Sequence, residues 1–167
     1  MPGASAACRS RAKRSSSFWS GVSLPARADL PASRVAYAQA CAAEMGAVPA
    51  FNCMTGTKIP ITVGGTQVNE AVDDCDKPIQ LGIGSSQCVP FARFLRIDTK
   101  PDVETVVICR KYPGNDNGPD DPMFSDIAVI QHSRKTGNTC FFQSTITPHD
   151  GSNAPAPGSN SSAASSF

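Results

Sequence analysis

The residues in this chain that could do chemistry are seven cysteines, two histidines and two clusters of acids. The cysteines are Cys8, Cys41, Cys53, Cys75, Cys88, Cys109 and Cys140. None forms a C-x-x-C pair, and neither His132 nor His149 lies near a cysteine pair, so the close ligand spacing of a zinc site is missing. Well-spread cysteines in a loop-rich chain read as disulfides formed in an oxidising compartment. Six of them, Cys41, Cys53, Cys75, Cys88, Cys109 and Cys140, are expected to pair, leaving Cys8 over. Six cysteines allow 15 pairings that sequence cannot rank. The preferred set joins Cys41 to Cys53, Cys75 to Cys88 and Cys109 to Cys140. A thiolate nucleophile needs a basic partner and partial exposure. Arg110 follows Cys109, but adjacent strand residues point to opposite faces, so bracing is the preferred reading of the sulfur.

His132 shares a strand face with Ile130 and is the one candidate for a base or ligand. The alternative is a partly buried strand histidine with its hydrogen bond satisfied. Asn115-Asp116-Asn117-Gly118-Pro119-Asp120-Asp121 and the group Asp73, Asp74, Asp76 are rich in oxygen ligands. Neither has the alternating carboxylates and terminal bidentate acid of a calcium loop, so both read as turns. Gly82-Ile83-Gly84 lacks the Lys-Ser/Thr and helix start of a phosphate cradle. Asn160-Ser161-Ser162 fits the glycosylation sequon, a common pattern. No metal, cofactor or catalytic set follows from these motifs.

The elements that must position these residues centre on 126–144. Two apolar runs, 127–130 and 140–142, flank a break at Thr136-Gly137-Asn138, the signature of a β-hairpin. Both runs carry apolar residues on both parities, which predicts central strands. Residues 103–110 predict a second central strand, and 91–97 a further one. Residues 58–63 and 66–68, joined by Gly64-Gly65, predict a hairpin with a two-residue loop, and Pro60 confines its first strand to an edge. Val35, Ala38, Ala42 and Met45 follow a helical period over 32–46, with Ser33 as N-cap and Gly46 as stop. The stripe is mostly alanine, so the helix would depend on a staple. The 70–90 stretch reads as a long loop closed by Cys75 and Cys88, a ring worth about 3 kcal/mol in the chain-entropy model.

The fold class expected is therefore mainly β, a small antiparallel sheet or sandwich with one N-terminal helix, stabilised by disulfides. The domain spans 32–150. Residues 1–31 form a signal-like or disordered leader: a basic stretch, a short apolar stretch around Trp19, then Ala26-Arg27-Ala28. Residues 151–167 form a Gly/Ser/Pro-rich tail. No stretch has the ~20 apolar residues that span a bilayer.

Charge is low, 15 basic against 14 acidic residues. Six basic residues and one acid fall in 1–34, leaving nine basic and thirteen acidic for the remainder, a net of −4. A mildly acidic body argues against nucleic-acid binding, which needs a basic footprint.

From residue 41 to about 157 the chain resembles the N-terminal extracytoplasmic region of a group of uncharacterised secreted bacterial proteins. The resemblance rests on Phe51-Asn52-Cys53, residues 57–63, Cys75-Asp76-Lys77-Pro78, Ile108-Cys109-Arg110, residues 136–143 and His149-Asp150-Gly151-Ser152. Some such proteins continue into a c-type haem segment with C-x-x-C-H. This chain lacks that motif, so no haem is carried over. The resemblance implies a lone or truncated module, secreted or periplasmic, whose partner would be a haem-bearing domain or protein absent from this chain. It transfers no catalytic residue.

The function expected is a non-catalytic extracytoplasmic binding or accessory module, associated with a redox protein, with the 75–88 loop and the 115–121 excursion as its contact surface. The alternative is a hydrolase using His132 with nearby carboxylates, which predicts His132 and two acids in one pocket. A metal carrier would instead gather free thiols around a histidine.

Overall fold

The computed structural model describes residues 33–76, 88–114, 118–144 and 148–159. The expected leader at 1–31, Cys8, the Gly82-Ile83-Gly84 stretch and the Asn160 sequon lie outside them. The first element described is α1 (Arg34–Met45). Its N-cap is Ser33, whose hydroxyl accepts the Ala36 amide at 3.1 Å. The helix buries Ala38, Cys41 and Met45, one narrow stripe that takes in Cys41 where the period alone pointed to Ala42.

The nine strands are β1 (Thr57–Lys58), β2 (Ile61–Val63), β3 (Thr66–Val68), β4 (Arg93–Ile97), β5 (Val103–Arg110), β6 (Met123–Phe124), β7 (Asp126–Ser133), β8 (Thr139–Gln143) and β9 (His149–Asp150). Five form an antiparallel sheet in the order β1-β4-β5-β7-β8, while β2 pairs with β3 and β6 with β9. The fold is thus a single sheet with small ribbons, mainly β with one helix. β5 alternates strictly between buried and half-buried residues, as a sheet with one covered face requires. Val103, Val107 and Cys109 of β5, Ile127 and Val129 of β7, and Phe142 of β8 face the core with Met45, Val48, Phe51 and Phe124. The opposite face carries Phe94, Val106, Ile108, Ala128, Ile130 and Phe141 in half-buried to exposed positions.

The hairpin of β7 and β8 forms as its sequence predicts, but only β7 is central. β8 is the edge strand, and Phe141 is 62% exposed. Its free edge is blunted by the helix, since the Phe141 amide donates to the Tyr37 hydroxyl at 3.0 Å while the Tyr37 and Phe142 rings pack 5.5 Å apart. The expected strand through 58–63 is also corrected. Pro60 has no N–H to give a ladder, and the run splits there into β1 of the main sheet and β2 of a separate ribbon.

Three disulfides are present: Cys41–Cys140, Cys53–Cys109 and Cys75–Cys88. The third is the pair expected; Cys41–Cys53 and Cys109–Cys140 are not formed. Cys109 and Cys140 both face the core, but β7 runs between their strands. Cys109 stands opposite Ile127 and Cys140 opposite Gln131. Two strand spacings put side chains roughly 10 Å apart, beyond the ~7 Å limit for a bridge. Each instead takes a partner from the covering layer: Cys41 from the helix, Cys53 from the 3-10 turn Cys53–Thr55.

The chain past Asp150 stays on the domain. The 3-10 turn Gly151–Asn153 follows β9, and Ala154 is fully buried, exchanging both backbone hydrogen bonds with Phe51 at 2.9 and 3.0 Å. Gly151 is required here, because a Cβ would lie 2.5 Å from the Phe124 ring and 2.8 Å from the Cys53 Cβ.

Every backbone carbonyl from Ala42 to Gly46 at the helix C-terminus has a partner. Gly46 N–H donates to Ala42, the Lys100 ammonium to Ala43 and Glu44, Thr99 Oγ1 to Met45 and Gln131 Nε2 to Gly46. Beside them the Glu44 carboxylate accepts from the Thr136 hydroxyl at 2.6 Å and the Asn138 amide at 2.8 Å, joining the helix to the β7–β8 turn. The Thr136 and Asn138 hydrogen bonds, with Lys100 adding a smaller attraction, hold the Glu44 pKa below its ordinary value.

Replacing both Cys53 and Cys109 by alanine is expected to lower stability by about 2–5 kcal/mol, read from urea unfolding without reductant. A second expectation concerns acid. The Glu44 pKa is lower in the folded than in the unfolded chain. Its contribution is therefore complete above the ordinary glutamate range and fades as pH falls through the folded value. Glu44→Gln should flatten the loss of thermal stability below that range and leave the profile near neutrality unchanged in shape.

Candidate functional site

A cleft of about 740 Å³ opens between the main sheet's β1 edge and the β2–β3 ribbon. Its walls carry Ile59, Pro60, Ile61, Val68, Pro90, Phe91 and Pro119, with Lys58, Gln67 and Asn69 as the polar side chains. Its volume falls within the range of small-molecule sites, and apolar and polar surface line it in nearly equal parts.

Local sequence explains each wall. The split at Pro60 turns β2 away from the sheet, and Gly64 and Gly65, at φ +57° and +78°, make the tight reversal into β3. The Asp76 carboxylate clamps that reversal. One oxygen accepts the Gly64 amide at 2.7 Å, the other the Gly65 amide at 2.9 Å, and the Asp76 amide donates to Thr62 at 2.9 Å. Cys75 beside it is bridged to Cys88, and Val72 N–H donates to Cys88 C=O at 3.1 Å. The chain then passes through buried Val89 and Pro90 to Phe91, the one non-glycine residue with positive φ among the described residues, at +70°. A bulky residue held there stores strain, a feature that concentrates at ligand sites. The Ile59 amide closes the floor on Ala92 C=O at 2.8 Å.

Arg93 ties the walls together. It is 7% exposed and faces the core side of β4. Its guanidinium donates to the carbonyls of Met54 at 2.8 Å, Gly56 at 3.2 Å and Pro119 at 2.7 Å. Its buried Nε has no hydrogen-bond partner, and no carboxylate pairs with it among the described residues. Lys58 is its direct cross-strand partner on β1. Two like charges in that position repel. The 118–124 wall is fixed further by Lys111, a buried lysine that donates to Asp121 C=O at 2.9 Å and Met123 C=O at 2.8 Å and lies 5.0 Å from the Phe124 ring centre.

The structure scatters the other candidates. The six cysteines are all bridged. His132 is half-buried on the open face of the sheet, with Nδ1 2.9 Å from Thr139 Oγ1. Its cross-strand neighbour Glu104 is paired with Arg96 at 3.3 Å, and His132 does not line the cleft. Asp76 and Asp121 serve structure, and Asp73, Asp74 and Asp120 are exposed. No group of three His, Cys, Asp or Glu converges as a metal site among the described residues. A fully buried Asp126 is held by Arg110 at 2.5 Å, Tyr112 at 3.1 Å and Gln143 at 3.2 Å, which occupies it as a sheet-end clamp. A smaller hollow near Arg96, Lys100 and Arg134 has its cations engaged with Glu104 and with backbone carbonyls.

Of the contact surface expected from sequence, Gly118 and Pro119 do line the cleft, and Pro90 and Phe91 directly follow the 75–88 loop. Residues 77–87 and 115–117 lie outside the described residues. The reading missed Arg93 as a buried hub. The signal was present, since Arg93 shares strand parity with Leu95 and Ile97, the buried side of β4.

Removing the Arg93 side chain strands three carbonyls, so Arg93→Met is expected to cost about 2–4 kcal/mol. Lys58→Thr should instead raise stability by a few tenths of a kcal/mol, roughly the size of a relieved cross-strand repulsion. Paired urea melts of the two variants check both signs.

Compared with family models, with curated proteins and with solved structures, the chain gives no match.

Proposed function

We propose that this protein is a non-catalytic extracytoplasmic binding module whose ligand site is the cleft between β1, the β2–β3 ribbon and Pro119. The observation that carries the reading is the cleft itself: about 740 Å³, lined by apolar and polar surface together and held from three sides by a disulfide, a carboxylate clamp and a buried guanidinium. Such bracing holds a shape ready for a ligand and lowers the ordering cost of binding. Three disulfides, and no helix long and apolar enough to cross a membrane among the described residues, are consistent with an extracytoplasmic location. The resemblance to secreted bacterial proteins points the same way and adds a haem-bearing partner as the setting of an accessory role. The hydrolase alternative has less support: His132 lies on an open sheet face with one acid beside it, already paired, rather than in a pocket with two.

Amide shifts of the oxidised, isotope-labelled protein titrated with cyclohexanol and benzyl alcohol test the site. Perturbations should cluster on Ile59, Ile61, Val68 and Phe91. Val68→Trp should weaken binding at least about tenfold while shifting the thermal midpoint by only a few degrees. Perturbations confined to Val106, Ile130 and Phe141 on the open sheet face would contradict the assignment.

A further inference from the structure

We infer that the cleft takes a carboxylate carried on a hydrocarbon body, with Lys58 as the group that selects the charged end. This rests on the cleft being the ligand site and adds the class of ligand.

The walls set the body. Ile59, Pro60, Ile61, Val68, Pro90, Phe91 and Pro119 offer apolar surface, and the prolines bring no N–H that would need a polar partner from a ligand. The charge sets the head. Lys58 lines the cleft and has no acidic partner among the described residues. No acidic side chain lines the cleft at all among the described residues. Arg93, paired directly across from Lys58, adds a second positive charge that is neutralised only by carbonyl dipoles. Its buried Nε is unpartnered. Arg93 is held by the carbonyls it ties together, so placing Lys58 directly across from it, on a body whose net charge is −4 over 35–167, is a local electrostatic cost. An anion at the mouth of the cleft removes that cost. Gln67 and Asn69 extend the polar edge. They stand on one side of the β3 strand and its end, and Gln67 Nε2 donates to Asn69 Oδ1 at 3.3 Å. That bond uses the Asn69 Oδ1, and the Asn69 amide nitrogen remains a donor on a residue that lines the cleft. An ammonium from the β1 side and an amide from the ribbon side, with apolar surface between them, form the complement of a carboxylate on a hydrocarbon chain.

The test uses octanoate and octan-1-ol, which share a chain and differ in the head group, titrated into the oxidised full chain and followed by amide shifts. Octanoate is expected to bind at the cleft at least about tenfold tighter than octan-1-ol. Raising the salt should weaken octanoate and leave the alcohol unchanged. Lys58→Gln should erase most of the preference for the acid over the alcohol, a readout that a purely structural role for Lys58 would not move. Equal binding of acid and alcohol in the cleft would overturn the carboxylate assignment while leaving the binding site standing. Failure of both to perturb Ile59, Val68 or Phe91 would overturn the two together.

Discussion

The constraint on which this structure depends is that one face of a single sheet is covered by layers too thin to hold themselves there. The helix offers alanine, one cysteine and one methionine to the core. The other cover is a three-residue turn, a stretch of extended chain and the small β6–β9 ribbon, which bring Phe51 and Phe124 to the core. Burying an alanine contributes little compared with a leucine or phenylalanine, so hydrophobic area alone holds the helix weakly, and the turn at Cys53–Thr55 is too short to hold itself in place. Both long-range disulfides answer this need. Cys41–Cys140 runs from helix to edge strand, and Cys53–Cys109 from turn to the middle of the sheet. Polar contacts then fix the orientation: the helix's terminal carbonyls are each met by Lys100, Thr99 or Gln131, and Glu44 reaches the β7–β8 turn.

The cleft inherits its rigidity from the same bracing. The turn that carries Cys53 also presents the Met54 carbonyl to Arg93, with Gly56 just beyond, so the Cys53–Cys109 bridge anchors the floor of the site. Arg93 carries that anchorage across to Pro119. On the far side, Cys75–Cys88 and the Asp76 clamp hold the ribbon. What remains locally unfavourable is concentrated here: Phe91 at positive φ, and two cations side by side. Strain and unbalanced charge at a cleft, on an otherwise well-satisfied fold, are the features on which the proposed ligand site rests.

Much of the scaffold was legible in the residues themselves. The 103–110 run, the Thr136-Gly137-Asn138 turn, the Gly64-Gly65 reversal and the Ser33 and Gly46 helix limits all follow from local periodicity and turn chemistry, which the chain carries wherever it folds. What local pattern does not encode is which elements become neighbours. Cys109 and Cys140 read as partners because each sits on a strong strand, yet the intervening β7 separates them. Phe141 read as part of a central strand, yet β8 is the last in the sheet. The cleft was only half visible, through Pro119 and the end of the 75–88 loop. Its other elements depend on Pro60 breaking a strand and on Arg93 reaching backbone carbonyls as far as 39 residues away in sequence.

The most direct measurement is mass spectrometry of peptides from the native protein digested without reduction. Layer-to-sheet bracing predicts cross-linked peptides joining Cys41 to Cys140 and Cys53 to Cys109, beside the local link from Cys75 to Cys88. A peptide joining Cys41 to Cys53, or free thiols at Cys53 and Cys109, would contradict it, and the floor of the cleft would lose its anchor.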